Sequence, residues 1–101
     1  MSVLIVGGDR VEAIRQALIK MTSDSGSLRV EHWPGRKAAD ARRSVSPGTR
    51  AIVFVCRHLS HPLMLNVRRQ ADSLGVPVVY CRRTAPGWQA ELEGLRGRLF
   101  S

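Results

Sequence analysis

Arg50-Ala51-Ile52-Val53-Phe54-Val55-Cys56-Arg57-His58-Leu59-Ser60-His61-Pro62 is the stretch whose reading decides the fold. Ala51 to Val55 is the most apolar run of the chain. A run this short, rich in β-branched residues and without polar alternation, reads as a strand covered on both faces, as strands of parallel sheets are. A polar break follows, and then a helix begins. Ser60 or His61 can cap it, and Pro62 falls in the first turn, where a missing N–H costs nothing. Leu63, Val67, Ala71 and Leu74 recur at helical spacing as its buried stripe. Gly75 suits the left-handed residue that ends such a helix.

The same strand, polar turn and helix recur on either side. Ser2 to Val6 is a short apolar strand, and Gly7-Gly8-Asp9-Arg10 makes the turn. Asp9 is a candidate N-cap for a helix running from Val11 to Met21, with Val11, Ile14, Leu18 and Met21 on one face. Leu28 to Trp33 alternates, with Leu28, Val30 and His32 on one side and Arg29, Glu31 and Trp33 on the other. That pattern predicts an edge strand exposed on one face. After Pro34-Gly35, Arg36 to Val45 reads as a short basic helix, closed by the turn Ser46-Pro47-Gly48. Val76 to Tyr80 is the fourth strand, with Pro77 near its start. Cys81-Arg82-Arg83 and a Pro86-Gly87 break lead to a last amphipathic helix over about 87–99, carrying Trp88, Leu92, Leu95 and Leu99. Four such units with short, right-handed connections predict a single α/β domain over 1–101. The architecture is a four-stranded parallel sheet flanked by helices, in flavodoxin-like or half-Rossmann order 2-1-3-4.

Bulk properties narrow the function classes. A chain of 101 residues builds one modest core. The net charge is +8, from 16 Lys+Arg against 8 Asp+Glu, and Lys20 and Lys37 are the only lysines. Guanidinium groups bind carboxylates and phosphates bidentately, so nucleic acid, a phosphorylated small molecule or a cofactor bearing propionates all suit this balance. Solvated arginines on a basic surface account for the same charge. The two cysteines, Cys56 and Cys81, form no disulfide-framework pattern. The apolar start lacks a basic leader and a long hydrophobic region, and no run approaches the ~20 residues that span a bilayer. A cytoplasmic location with reduced thiols, and no membrane partner, is the expectation.

In a parallel sheet the segments after the strands gather along one edge, and ligands bind where the strand order reverses. Order 2-1-3-4 would set Gly7-Gly8-Asp9-Arg10 beside Cys56 to His61, with His32 to Lys37 and Cys81 to Arg83 flanking. Gly7, Gly8, Asp9 and Arg10 at a helix start, with Lys37 nearby, are a candidate anion site, though they match neither a dinucleotide fingerprint nor a P-loop. A tight turn that needs glycine explains the same residues. Cys56-x-His58-x-x-His61 offers thiolate and imidazole ligands suited to zinc, iron or haem iron. In the plainer account Cys56 is a small buried hydrophobe, His58 faces solvent and His61 belongs to the helix start. Cys56 and Cys81 end adjacent strands and could form a redox pair only if their Cα atoms lie within about 7 Å. Cys56 beside His58 or His61 could also serve a thiol-dependent enzyme, although no carboxylate stands near them in sequence. Arg36, Lys37, Arg42, Arg43, Arg82 and Arg83 with Trp33 make a basic rim that could meet nucleic acid.

Four pieces taken together resemble a known family. They are Ser2-Val3-Leu4-Ile5-Val6-Gly7-Gly8-Asp9-Arg10, then His32-Trp33-Pro34-Gly35-Arg36-Lys37, then Leu59-Ser60-His61-Pro62, and last Val76-Pro77-Val78-Val79-Tyr80-Cys81-Arg82-Arg83. In this order and spacing, over about residues 2–84, they look like domain-of-unknown-function family 2325. That family comprises small bacterial domains and includes the haem-associated proteins called domain related to iron. The resemblance implies a b-type haem, a regulatory or sensor role tied to iron, and no catalytic activity of the domain itself. Ser60-His61 matches the family's Ser-His pair, so His61 is the implied haem ligand, with Cys56, His58 and Cys81 open as the second axial ligand. Arg36, Arg82 and Arg83 could hold propionates. Aromatic residues make up only 5% of the chain. Haem would therefore be only partly enclosed, or shared in a homodimer, or presented to a protein partner.

Overall fold

A computed structural model of the chain describes residues 2–8, 11–21, 28–34, 43–55, 61–81, 89–90 and 92–94. The elements run β1 (Ser2–Val6), α1 (Glu12–Met21), β2 (Arg29–Trp33), β3 (Thr49–Val55), α2 (His61–Leu74) and β4 (Val78–Cys81). The four strands form one parallel sheet in the order β2-β1-β3-β4. The expected α/β fold and its strand order are those of the molecule.

β1 and β3 occupy the middle because their side chains are apolar on both faces. Val3, Ile5, Ala51, Val53 and Val55 project to one side, where Ile14 and Leu18 of α1 and Leu92 complete a core cluster. Leu4, Val6, Ile52 and Phe54 project to the other, where Leu63, Val67 and Ala71 of α2 cover them with Trp33 and Val45. Each fully buried Leu, Ile, Val or Phe contributes about 1.5–3 kcal/mol relative to exposure. That gain is available to a strand twice over only if both faces are covered. Residues 89–90 and 92–94 are helical, and Leu92, of the expected stripe Trp88, Leu92, Leu95 and Leu99, is 1% exposed in the core on the α1 side. The other three leucine and tryptophan positions lie outside the described residues.

Local signals account for most element ends. The Arg15 N–H donates to the Val11 carbonyl at 2.8 Å, so Val11 is the N-cap of α1; the expected cap, Asp9, stands two residues too early. Glu12 in the first turn and Lys20 in the last complement the helix dipole. α2 ends in a Schellman motif around Gly75, whose φ is 68°. The Val76 N–H reaches the Ala71 carbonyl at 2.9 Å, and the Gly75 N–H reaches that of Asp72 at 3.4 Å.

Two sequence expectations change. The basic helix read over Arg36 to Val45 is not helical at residues 43–45. There the chain lies as a strap along α2, with Val45 only 6% exposed in the core. The Val45 N–H donates to Gln70 Oε1 at 2.7 Å, and Gln70 Nε2 and Asn66 Nδ2 donate to the Arg43 carbonyl at 2.9 and 3.1 Å. Side-chain amides of α2 take the backbone groups that helix bonds would have used, and Pro47 disfavours helical φ/ψ at Ser46. Residues 36–42 of that helix lie outside the described residues. The second change is at β2, an edge strand as expected with Arg29 exposed on the predicted open face, where Trp33 on that same face is nevertheless buried. Trp33 is 2% exposed, and Val30, Glu31 and His32 are half-buried.

Candidate ligand crevice at the carboxyl edge of the sheet

The reversal of strand order falls between β1 and β3, and the chain leaving β1 is pressed against the end of β3. Gly7 and Gly8 both take left-handed backbone, with φ of 93° and 75°. Side chains rarely tolerate such values, so the pair has a conformational reason to be glycine. Gly8 has a second reason. A Cβ there would meet Val55 Cγ1 at 3.0 Å, so the turn passes in contact with the last residue of β3. The segment 56–60, with Cys56 and His58, starts from that same Val55. Its structure, like that of Asp9, Arg10, Arg36, Lys37, Arg82 and Arg83, lies outside the described residues.

β2 ties the glycine turn from the other side. The Gly7 N–H donates to the Trp33 carbonyl at 2.8 Å. His32 Nε2 lies 3.0 Å from the Gly7 carbonyl and 3.1 Å from that of Gly8. Carbonyl oxygens only accept, so Nε2 must carry the proton and share it between them. His32 thereby anchors both carbonyls of the turn to β2. These bonds also limit the expected anion site. The Gly7 N–H is already committed, and both glycine carbonyls are turned toward β2. An anion at this turn would rely on the Gly8 N–H and on groups from Asp9 onward.

His61 is the first residue of α2 and is exposed. It stands in the first helical turn, where backbone N–H groups lack intrahelical partners. Its imidazole is open to a ligand at the rim, which fits an axial ligand to a surface-held group. Cys81 is placed differently from its reading as a rim residue. It is the last residue of β4, paired in register with Val55, wholly buried, and packed with Val53 and Leu92 in the core on the α1 side. A buried thiol in apolar surroundings packs as a small hydrophobe. Reaching a cofactor at the rim would require it to leave that core. Among the described residues, no cluster of three or more His, Cys, Asp and Glu side chains is close enough to hold a metal ion. Cys56 and His58 lie outside the described residues, so of the two histidines expected as cofactor ligands His61 alone is described.

The basic rim loses one of its expected features. Trp33 is not available to stack on a base, because Arg43 covers its ring at 4.6 Å and its Nε1–H donates to Glu31 Oε1 at 3.1 Å. Glu31 Oε1 also faces Arg43 Nη2 at 3.9 Å. Arg43 thereby closes a tryptophan–carboxylate–guanidinium stack over the edge of the sheet. The other edge repeats the device: Tyr80 stacks on Phe54 with centroids 5.3 Å apart, and Arg68 donates to its hydroxyl while lying 5.8 Å from the ring centroid.

Sequence reasoning set His32 on the flank of the crevice and gave it no partner. The alternation of β2 put it on the same face as Val30, but its contact with Gly7 and Gly8 spans some 25 positions of chain and depends on strand order. Among the described residues no helix is long and apolar enough to cross a membrane. No family model matches the chain. No curated protein matches it significantly either. Likeness to the haem-associated family therefore rests on the four motifs alone.

Proposed function

We propose that this chain is a small haem-binding regulatory or sensor domain whose site is the crevice between β1 and β3, with His61 as an axial ligand. The carrying observation is the meeting at one edge of the motifs behind the family resemblance: Gly8 against Val55, His32 on the Gly7-Gly8 turn, and His61 opening the helix that follows β3. Haem would supply a redox-active, ligand-sensing iron. The protein's share is to present His61, to hold the turn through His32, and to neutralise propionates with Arg36, Arg82 and Arg83. With aromatic residues only 5% of the chain, a haem would be partly enclosed, which suits a sensor or carrier, and two copies sharing one haem would enclose it better. Titration of the purified protein with hemin checks the reading. A Soret shift saturating at a fixed stoichiometry, and lost or moved in His61→Ala, is expected; no shift, or one indifferent to that substitution, removes it.

A second reading follows from the net charge of +8. An anion or nucleic-acid binding module would use the arginine rim, chiefly through phosphates, since the Trp33 ring is covered. Its affinity for an oligonucleotide should fall steeply with salt, as counterion release requires. No binding at low salt excludes it. Either activity would be exercised most simply in the cytoplasm.

A further inference from the structure

The flank of α2 that faces β4 carries an exposure the fold does not need. Leu65 is 50% exposed and Tyr80 36%, and both stand toward the carboxyl edge of the sheet. Leu74, the other described large apolar residue that is well exposed, is at the far end of α2. His61, Leu65 and Arg68 follow one another at intervals of four and three residues, so they form one stripe along the helix. Arg68 fixes the side on which that stripe lies. It donates to the Tyr80 hydroxyl, and its guanidinium carbon is 5.8 Å from the centre of the Tyr80 ring. The ring is itself stacked on Phe54, with centroids 5.3 Å apart. From His61 to Arg68 the stripe runs about 10 Å along the axis. An exposed imidazole thus begins a path bordered by a leucine and a tyrosine and ended by a guanidinium.

The chemistry of that path suits the ligand already proposed for His61, and the inference rests on that reading. A planar, largely apolar group that carries carboxylates and is held through its metal needs an apolar surface beside the imidazole and a cation beyond it. Gly7 and Gly8 supply no side chain for this. Their turn is also committed, with the Gly7 N–H on the Trp33 carbonyl and His32 on both glycine carbonyls. The Trp33 ring is buried beneath Arg43. On the α2 flank, by contrast, Leu65 stands one helical turn from His61 and Arg68 one turn beyond it. A guanidinium has five N–H donors, so the bond to Tyr80 is compatible with a carboxylate on the same fork.

We propose that haem bound at His61 lies along this flank of α2, with its apolar face on Leu65 and Tyr80 and one propionate on Arg68. The test is a hemin titration of the full chain and its variants, read by the Soret band and by amide spectra. Leu65→Ser and, separately, Arg68→Glu should each weaken hemin binding by about tenfold. Both side chains are exposed, so the variants keep the fold. The Soret maximum of the loaded variants should stay where it is in the unaltered chain, because His61 still ligates. Arg29→Glu makes the same charge change at the start of β2 and should alter the affinity by less than about twofold. Iron-induced broadening of amide signals should centre on residues 61–68 and 79–81. Unchanged affinity in both variants, or broadening centred on Gly7, Gly8 and Trp33, overturns the inference and leaves haem binding at His61 standing. Equal weakening by Arg68→Glu and Arg29→Glu shows charge attraction alone and overturns it as well. No Soret shift in the unaltered chain is a different failure, since it removes haem binding itself.

Discussion

At the residue scale the glycine pair at the crevice is the most constrained point of the chain. Gly8 combines a positive φ with contact to Val55, whereas Gly75 has a positive φ and open space around it. The two therefore separate conformational from steric cost. Gly75→Ala should lose about 1 kcal/mol, and Gly8→Ala more, about 2–3 kcal/mol, because Val55 must also give way. Urea unfolding of both variants measures the difference; equal losses would show that the Val55 contact is soft. His32 belongs with this pair. Its bonds to two carbonyls are worth on the order of 1–2 kcal/mol in His32→Ala, with the amide shifts of Gly7 and Gly8 moving most. A loss of stability without movement at the turn would contradict the assignment of Nε2 as the shared donor. Thr49 is an exception in the other direction. It is 3% exposed, and among the described residues its hydroxyl finds no hydrogen-bond partner. Thr49→Val keeps the shape and removes the orphan, so thermal unfolding should show it neutral to stabilising by about 1 kcal/mol.

At the element scale the strap at 43–45 is where pattern reading and structure part. The alanines and arginines of 36–45 have good helix propensity, and propensity is all that a local reading can weigh. What defeats it is Gln70, more than twenty residues away, whose amide takes the Val45 N–H and the Arg43 carbonyl. Gln70→Ala should cost about 1–3 kcal/mol, since it leaves a half-buried backbone donor without its partner. Chemical denaturation tests this, and a loss under ~0.5 kcal/mol would mean that water replaces the amide freely. By contrast α1 and α2 were legible as helices, because their apolar residues recur at the helical period and Gly75 is a local stop signal, although Leu74, expected in the buried stripe of α2, is 44% exposed. β2 was legible as a strand and as an edge. The burial of Trp33 was not, because Arg43 covers it from a distant part of the sequence.

At the scale of the whole molecule, the central pair of strands holds the two cores together. β1 and β3 are covered on both faces, while β2 and β4 each have a strand neighbour on only one side among the described elements. Native-state hydrogen exchange should therefore protect the amides of Leu4, Ile5, Ile52 and Val53 to nearly the global stability, with those of Val30 and Val79 opening sooner. Uniform protection across the four strands would mean that the edges carry more of the stability than their burial indicates. Sequence alone determined the four strands, their parallel order 2-1-3-4 and the helices α1 and α2. It could do so because hydrophobic period, glycine and proline are local properties. Only the tertiary structure decided that His32 holds the glycine turn, that Cys81 belongs to the core, and that Trp33 is covered by Arg43. Each of those outcomes depends on contacts between side chains far apart in the chain, and such contacts exist only once the strands have taken their places.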